Sequence, residues 1–578
     1  MSHSTPFRPT CQRPWTNAHQ TIHARLVEAG WNPWLARALV LRGIDGPESA
    51  VGPAKAEPYH LLKGLPTARA RLVAAIEKGE RIVVVADYDC DGATACALMV
   101  EGLRSYGANI GFAVPNRLRH GYGLSPGVVD MIAERDRPSV LVTVDNGIAS
   151  VEGVAAAARR GWDVVVTDHH LPGDSLPLAQ AIVNPNQAGC IFPSKHLAGC
   201  GVAFMVVAAV HAALKRSGRL PAGAIPPSGL LDLVALGTVA DVVRLDANNR
   251  WLVTAGLGRI RRGQTRPGIL ALFDVARRSP ERAVAGDFGF SIGPRLNAAG
   301  RLDDMTTGIR CLLSATRDEA LALAEALNSW NDTRKTLEAD MLATADRFVT
   351  GQDGRWTRVA YDASFHEGVV GLVASRIKEA TLCATMAFAP AQEEGYLKGS
   401  GRSVPGLHLR DALDRVHKLG HGLFERFGGH AMAAGVTLRR DRLDIFTHLF
   451  ESAVRETMGA QRPDPTLWVD GVLTPDGWNL GTALAVRDQV WGQGFEEPLW
   501  EADASVRDVR RMGAERQHLK VLLDGGREGV EAIEFFVDDK GGDPRPGEVW
   551  RWWFNLDVSW FRDTIAVSWR VRQKERLR

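Results

Sequence analysis

The stretch Val83-Val84-Val85-Ala86-Asp87-Tyr88-Asp89-Cys90-Asp91-Gly92 decides the fold of this chain and the chemistry expected of it. An apolar run of this length, rich in valine, is typical of a buried parallel strand. Three carboxylates follow it on alternate residues, and open α/β sheets bind their ligands at the carboxyl ends of strands. Three acids in one such place repel one another, so the stretch predicts a cation between them, with a divalent metal ion as the first candidate.

The residues around this stretch alternate between strand-like and helix-like patterns. Apolar runs predict strands at 82–86, 110–114, 139–144, 163–167 and 181–183, whereas helices fit 92–106, 151–160, 201–216 and 228–243. Such alternation predicts the α/β class, with a doubly wound parallel sheet.

The chain of 578 residues is too long for one core, and we expect several domains. A helical preface at 1–50 precedes the α/β domain at 51–270. The connecting segment at 271–355 contains a long helix that begins with a capping box at Thr316 and Glu319 and runs to about Val349. A second α/β domain is predicted at 356–460. The last segment, 461–578, is β-rich, because Trp550, Trp552 and Trp560 stand among alternating polar and apolar residues.

Composition excludes some classes of protein. The seven cysteines are scattered and odd in number, which indicates free thiols in a reducing compartment and predicts a cytoplasmic protein. The sequence shows no apolar run of about 20 residues, so we expect no membrane span. The net charge of +2 does not by itself indicate a nucleic-acid binder.

The pattern of the first stretch recurs in kind at three further places. Val140–Val144 leads to Asp145-Asn146-Gly147, Val164–Thr167 leads to Asp168-His169-His170, and Gly237–Ala240 leads to Asp241. Neighbouring strands lie about 4.8 Å apart, so these side chains can converge. Several carboxylates with one or two imidazoles suit two ions of Mn²⁺ or Mg²⁺. Two such ions clamp a phosphate, and the pattern therefore predicts metal-assisted phosphoester hydrolysis.

Together these motifs resemble those of the DHH phosphoesterase superfamily, and further motifs are similar to its RecJ branch. They are Gly293-Pro294-Arg295-Leu296-Asn297-Ala298-Ala299-Gly300-Arg301, Gly399-Ser400-Gly401-Arg402-Ser403, Gly428-Gly429-His430, Trp491-Gly492-Gln493-Gly494-Phe495-Glu496-Glu497-Pro498 and His518-Leu519-Lys520. The resemblance covers residues from about 50 to 575. It implies a DHH domain at 51–270, a DHHA1 substrate-binding domain at 356–460 and a C-terminal β-barrel of the OB-fold type at 461–578.

RecJ proteins are exonucleases that degrade single-stranded DNA from 5′ to 3′ and release mononucleotides in recombination and repair. The resemblance therefore implies two divalent cations, Mn²⁺ or Mg²⁺, and a water nucleophile that they activate. Asp145 would bridge the ions, His170 would face the scissile phosphate, and Asp168 would orient an imidazole. The metal ligands implied are Asp87, Asp89, Asp91, Asp145, His169 and Asp241.

The resemblance also implies substrate contacts in the second half of the chain. Arg402 can bind a phosphate with two hydrogen bonds, and Ser400 and Ser403 can add hydroxyl donors, so we assign them to the 5′-terminal phosphate or nucleotide. On the approach to the ions we expect DNA contacts from Arg295, Asn297 and Arg301, with His430 on the same face. Single-strand binding protein and a RecQ-type helicase are the partners that the family implies.

Cys90 departs from the family pattern, which usually has a small aliphatic residue there. If the segment stays extended, the Cys90 side chain points away from its acidic neighbours. Two other functions remain open. A DHH phosphodiesterase for short oligonucleotides or cyclic dinucleotides would share the metal motifs. A non-catalytic scaffold that binds single-stranded DNA would have lost acids or histidines, and here the set is intact.

Overall fold

The computed structural model describes residues 8–52, 55–115, 123–349, 352, 354–460, 462–463, 466–513, 516–525, 529–537, 542–561 and 564–577. Three sheets of five or six strands and many helices form this part of the chain, which confirms the predicted α/β class with a C-terminal barrel. The first elements are β1 (Thr10–Gln12), α1 (Asn17–Glu28), α2 (Pro33–Val40), α3 (Pro47–Val51) and α4 (Leu65–Lys78).

The first sheet is the parallel sheet that the opening stretch predicts. Its strands are β2 (Arg81–Ala86), β3 (Asn109–Ala113), β4 (Val140–Val144), β5 (Asp163–Thr167) and β6 (Ala181–Val183), in the spatial order β3-β2-β4-β5-β6. The helices of this region are α5 (Cys90–Ser105), α6 (Pro126–Arg135), α7 (Val151–Arg159) and α8 (Gly199–Arg216). Because β2, β4 and β5 are neighbours, the polar residues that follow them meet at one edge of the sheet.

Both faces of this sheet are covered by helices. Ile82 and Val84 are buried in one core with residues of α5 and α8, whereas Val83 and Val85 are buried in another with residues of α6 and α7. Alternate side chains of a strand point to opposite faces, so a strand buried on both sides needs an unbroken apolar run. The prediction of a doubly wound sheet is confirmed.

A helical region follows and leads to the second sheet. It comprises α9 (Leu231–Ala240), α10 (Ala247–Arg261), α11 (Pro267–Val275), α12 (Ala285–Asp287), a π-helical turn (Phe288–Ile292), α13 (Gly293–Leu302), α14 (Thr306–Leu313) and α15 (Arg317–Val349). The 33 residues of α15 span about 50 Å. Its first turn is capped by the Thr316 hydroxyl, which accepts from the Glu319 N–H at 3.3 Å. Because α15 packs on α11, α13 and α14 and then on the second sheet, it connects the two, as predicted.

The second sheet is mixed. Its strands are β7 (Thr357–Tyr361), β8 (Ala384–Pro390), β9 (Tyr396–Arg402), β10 (Arg426–Gly429) and β11 (Ala433–Arg439), in the order β10-β11-β9-β8-β7. β7 and β8 are parallel, and the other pairs are antiparallel. The helices α16 (Val370–Thr381), α17 (Leu409–Leu419) and α18 (Leu443–Met458) accompany it.

The C-terminal region closes into a barrel. It contains β12 (Leu467–Val469), β13 (Gly471–Val472), α19 (Leu480–Arg487), β14 (Trp500–Met512), β15 (His518–Leu523), β16 (Val530–Glu534), β17 (Val549–Phe561) and β18 (Thr564–Arg576). Pairing runs from β14 through β15, β16 and β18 to β17, and β17 pairs again with β14. A closed barrel of five strands is the architecture of an OB-fold. Trp550 and Trp552 are buried in its core, as their alternation predicts.

The N-terminal preface packs on this barrel, a contact that the sequence does not reveal. β1 pairs in parallel with β12. Trp34 lies edge-on to Trp500, with ring centroids 5.7 Å apart, and the Arg42 guanidinium lies 2.7 Å from the buried Asp470 carboxylate. The N-terminal preface and the C-terminal barrel therefore share one core.

Helix α8 has 18 residues, and its mean hydropathy of 1.4 is high enough for a membrane span. However, 67% of it is buried inside the protein, where it packs on α4, α5 and α9. A buried core helix passes the same test of length and composition.

Candidate metal centre and phosphate-binding face

Acidic and imidazole side chains converge at the carboxyl end of the first sheet. Three groups of ligand atoms each lie within 4.8 Å of one another: Asp87, Asp89 and Asp145; Asp145, His169 and His170; and Asp91, His169 and Asp241. Asp145 belongs to two of these groups and so does His169. The arrangement suits two neighbouring cations with Asp145 between them, because hard divalent ions bind carboxylate oxygens and accept imidazole nitrogens.

The polar atoms in the middle of this cluster favour a cation. His169 Nε2 lies 3.1 Å from Asp145 Oδ1 and 3.5 Å from Asp241 Oδ2. Both His169 Nε2 and Asp241 Oδ2 are buried, and neither forms a hydrogen bond within the described part of the chain. Burying such atoms without partners costs free energy, and a divalent ion at this point would remove that cost. The residues present therefore fit the metal ions that the sequence predicts.

The protonation equilibria of the cluster lead to the same conclusion. Burial raises the pKa of Asp145 and of Asp241, and the charges of Asp91 and Asp89 raise both further. Burial lowers the pKa of His169, and the charge of His170 lowers it further. A bound cation would lower the pKa values of the carboxyl groups again, because it stabilises their ionised form. It would also bind the neutral imidazole, which the lowered pKa of His169 favours.

Two of these side chains have strained backbone at or next to them. Asp145 has φ of 61° and Val242, which follows Asp241, has φ of 62°. The left-handed region is uncommon for aspartate and a clear outlier for a β-branched residue. The Asn146 amide group helps to hold the turn after β4, since it donates to the carbonyls of Val85 and Val144 at 3.1 and 2.9 Å. Strain of this kind persists where the surroundings fix a functional side chain.

Asp91 has a second set of partners. Its Oδ2 and Oδ1 accept from the N–H groups of Gly199 and Cys200, at 2.5 and 2.9 Å, at the N-terminus of α8. A Cβ on Gly199 would lie 2.5 Å from Asp145 Oδ1, so only glycine permits this approach. Asp91 therefore joins α5 to α8, and each of its oxygens keeps one lone pair for an ion.

The segment through Cys90 is not extended, so the condition for that argument is not met. The Asp89 carboxylate caps α5 by accepting from the Gly92 N–H at 2.9 Å, and the helix begins at Cys90. An aspartate followed by an apolar, alanine-rich segment is a normal start of a helix. The Cys90 thiol is buried, and burial together with the charges of Asp89 and Asp91 raises its pKa well above the usual value.

Asp168 and His170 form a hydrogen-bonded pair beside the cluster. Asp168 Oδ1 lies 2.8 Å from His170 Nδ1, and Oδ2 accepts from the Ile148 N–H at 2.9 Å. Burial opposes the charge on His170, but the bond to Asp168 and the charges of Asp168, Asp87 and Asp89 outweigh it and raise the pKa to about 9. The geometry thus supports an orienting role for Asp168, and the raised pKa favours the charged form of His170.

Two asparagines that the sequence analysis missed hold the backbone of the histidine pair. Asn184 Nδ2 donates to the carbonyl of His170 at 2.9 Å, and Asn186 Nδ2 donates to that of His169 at 2.6 Å. Both follow β6. The rule that finds Asp145 and Asp168, a polar residue directly after a strand of this sheet, also finds Asn184, whereas Asn186 comes two residues later.

Helix α13 packs behind the metal loop, which is the segment 87–90 between β2 and the first turn of α5. Asn297 Oδ1 accepts from the Cys90 N–H at 2.8 Å, and a Cβ on Gly300 would lie 1.7 Å from the Tyr88 carbonyl oxygen. Arg301 Nη1 donates to the carbonyl of Gly368, in the loop before α16, at 3.3 Å. Arg295 donates to the Ser291 carbonyl and to Asn328 of α15. The predicted DNA contacts of α13 therefore also position the metal loop and join it to the second sheet.

The second sheet brings a guanidinium group and two hydroxyl groups together. Arg402 Nη1 donates to Ser400 Oγ at 3.1 Å, and Arg402 Nε donates to Ser375 Oγ, also at 3.1 Å. Ser375 lies on α16 and was not predicted from the sequence. Ser403 is 1% exposed and donates to the carbonyl of Leu407 at 2.8 Å, so its assignment to the phosphate is corrected: it holds the turn after β9.

His430, between β10 and β11, lies close to the metal cluster of the first sheet. Its ring is nearly parallel to that of His170, with centroids 6.3 Å apart. Burial lowers the pKa of His430 and the charge of His170 lowers it further. The segment between β10 and β11 thus places the His430 ring beside His170 of the metal cluster.

Comparison with known families matches each part of the chain in turn. The model of the DHH family, N-terminal domain, matches residues 81–238, the DHHA1 domain matches 357–456 and the RecJ OB domain matches 469–573.

Curated relatives and solved structures agree with these matches. The single-stranded-DNA-specific exonuclease RecJ of Dickeya dadantii is 48% identical over 523 residues, which cover 88% of this chain and 90% of that protein. That of Escherichia coli is 45% identical over 549 residues, 93% of this chain and 94% of that protein. The crystal structure of Thermus thermophilus RecJ in complex with Mn²⁺ superposes with a TM-score of 0.80 at 29% identity, covering 99% of this chain and 79% of that one, and its Mg²⁺ complex superposes with a TM-score of 0.74. The chain belongs to the RecJ family of the DHH superfamily.

Proposed function

We propose that this protein is a metal-dependent exonuclease that hydrolyses single-stranded DNA from its 5′ end, releases 5′-mononucleotides and acts in DNA recombination and repair. The observation that carries the proposal is the pair of adjoining ligand groups around Asp145. Divalent cations held there, Mn²⁺ or Mg²⁺, would supply Lewis-acid stabilisation of the scissile phosphate and an acidified water.

The protein groups have separate tasks in this proposal. We assign Asp87, Asp89, Asp91, Asp145, His169 and Asp241 to holding the cations, with Asp145 shared between them. The charged His170 donates from Nε2 to the phosphate as negative charge develops, because Asp168 fixes the ring through Nδ1. A fixed donor needs no reorganisation during the reaction, which is the advantage of placing Asp168 in a buried, fully hydrogen-bonded position.

We relate the polarity of the enzyme to the second sheet. We assign Arg402 and Ser400, with Ser375 behind them, to the 5′-terminal phosphate, since a guanidinium with hydroxyl neighbours suits a phosphate dianion. Their domain also places His430 beside His170, next to the proposed reacting diester. We assign Arg295 and Arg301 to contacts with the DNA strand on its approach to the metal cluster.

The closed C-terminal barrel favours long strands as substrates over short ones. A phosphodiesterase for short oligonucleotides or cyclic dinucleotides needs no additional strand-binding module, whereas OB-folds bind single strands through basic and aromatic side chains.

Single-strand binding protein and a RecQ-type helicase are proposed partners, and a cytoplasmic location is proposed with them. We propose that the domains of the chain span residues 1–50, 51–270, 271–355, 356–460 and 461–578.

The test compares 5′-phosphorylated strands of 3, about 12 and about 40 nucleotides as substrates, with Mn²⁺ and with a chelator present. We expect kcat/KM to rise with length and to vanish with the chelator. A preference for the trinucleotide would favour the phosphodiesterase. Binding without any cleavage of the three strands would favour the scaffold.

A further inference from the structure

One large apolar side chain, on the segment that packs against the end of α9, is almost fully exposed. Phe290 is 89% exposed, although its neighbours Phe288 and Ile292 are fully buried. An exposed phenylalanine contributes almost no burial to stability. It belongs to the π-helical turn Phe288–Ile292, and π-helical turns are frequent at functional sites.

The turn lies against the end of helix α9. A Cβ on Gly293 would lie 3.0 Å from the Ala240 Cβ, and a Cβ on Gly289 would lie 3.7 Å from Val239 Cγ1. The next residue after Ala240 is the metal-cluster residue Asp241, and the strained Val242 after it is 62% exposed. Phe290 and Val242 are therefore exposed apolar side chains on two segments that pack together next to Asp241.

Arginine side chains lie beside the turn and on the way to the barrel, with the carboxylates of Asp287 and Asp557 among them. The Arg278 side chain is 58% exposed and lies 3.7 Å from Asp287, and its charge acts on Arg295, which follows the turn. Farther along, the guanidinium groups of Arg282 and Arg487 lie over the Trp560 ring, at 5.2 and 4.5 Å from its centroid. Cations for phosphates beside aromatic rings for bases are the composition of a surface that binds single-stranded nucleic acid.

We propose that Phe290 stacks on a nucleobase of the DNA strand held at the metal cluster and so positions the strand on its path between the cluster and Trp560. This inference rests on the proposed function. The face of an unpaired base is free to meet the ring, whereas a base within a duplex is stacked on both sides, so Phe290 also contributes to the choice of a single strand.

The test measures kcat/KM of the full-length protein on a 5′-phosphorylated strand of about 20 nucleotides. Stacking of a base on an aromatic ring corresponds to about 5- to 150-fold in affinity, so Phe290→Ala should lose that factor and Phe290→Trp should retain wild-type values. Phe348→Ala removes another exposed phenylalanine, on α15, and should leave kcat/KM unchanged. Equal values for Phe290→Ala and the wild type would overturn the inference.

Abasic substrates identify the base that is stacked. A single abasic nucleotide is placed at each of the first eight positions in turn. At one or two of these positions the kcat/KM of the wild type should fall. The kcat/KM of Phe290→Ala should show no additional loss at those positions, because removing the ring and removing the base abolish the same stacking contact. An abasic penalty that is the same in both proteins would contradict the inference, whereas a wild type that cleaves no single strand would refute the proposed function instead.

Discussion

Replacing Gly300 by alanine would push α13 against the metal loop. The added Cβ would lie 1.7 Å from the Tyr88 carbonyl oxygen, and real Cβ atoms essentially never approach closer than 3.0 Å. The helix and the loop must therefore separate by about 1.3 Å. Tyr88 stands between Asp87 and Asp89, so this displacement moves two of the proposed ligands.

The size of the effect follows from this displacement. A misplacement of about 1 Å in a catalytic arrangement costs roughly 100-fold in rate, and we expect kcat of Gly300→Ala to fall by at least that factor. Overpacking of a close contact costs about 1–3 kcal/mol in the free energy of unfolding. The concentration of Mn²⁺ that gives half-maximal activity should rise as well, because the ligand geometry is lost.

Initial rates on a 5′-labelled single strand over a Mn²⁺ titration, with urea unfolding of the same samples, measure all three quantities. Gly258→Ala, in α10, is the matched control: its added Cβ would meet only the flexible end of Arg262, at 3.4 Å, and should stabilise the helix by about 0.5–1 kcal/mol. A Gly300→Ala protein with kcat and Mn²⁺ dependence within threefold of the wild type would refute the reasoning.

Three further substitutions test the assignments. Asp145→Ala should reduce kcat at least about 1,000-fold while the Kd for a single strand changes little; near-wild-type turnover with Mn²⁺ or Mg²⁺ would contradict the shared-ligand role. In the metal-free protein, the pair of charged His170 with Asp168 stabilises the fold fully below the unfolded pKa of about 6.5, and this contribution is lost as pH rises through about 9. The difference in unfolding free energy between the wild type and Asp168→Asn should therefore shrink from pH 6.5 to pH 9.5 in urea titrations, and a difference that grows would be inconsistent with the pair. Arg402→Lys should reduce the preference for a 5′-phosphorylated over a 5′-hydroxyl strand about tenfold in competition assays, and an unchanged preference would remove Arg402 from the 5′-phosphate site.

Local patterns were sufficient to predict the first sheet and the acids at its edge. Valine-rich runs give β2, β4 and β5, and the position of Asp87, Asp145 and Asp168 directly after them follows from the topology of a parallel sheet. The start of α5 was predicted two residues late. The Asp89 cap was present in the sequence but was considered only as a metal ligand.

Contacts between distant segments could not be predicted in this way. Asn297 is 207 residues from Cys90, and its side-chain type alone fits a DNA contact as well as a backbone bond. The pairing of β1 with β12 joins the two ends of the chain, and no periodicity marks a three-residue edge strand. Exposure is likewise a property of the fold, so the sequence does not distinguish Phe290 from the buried Phe288 two residues before it.

Digestion of matched strands labelled at the 5′ or the 3′ end is the most direct test of the central claim. Each strand is offered alone and in a blunt duplex, with Mn²⁺ and with a chelator. We predict that the 5′ label leaves at once as a mononucleotide, the 3′-labelled strand shortens gradually, and the duplex and the chelated samples persist. Release of the 3′ label first, or digestion that survives the chelator, would contradict a metal-dependent exonuclease that begins at the 5′ end.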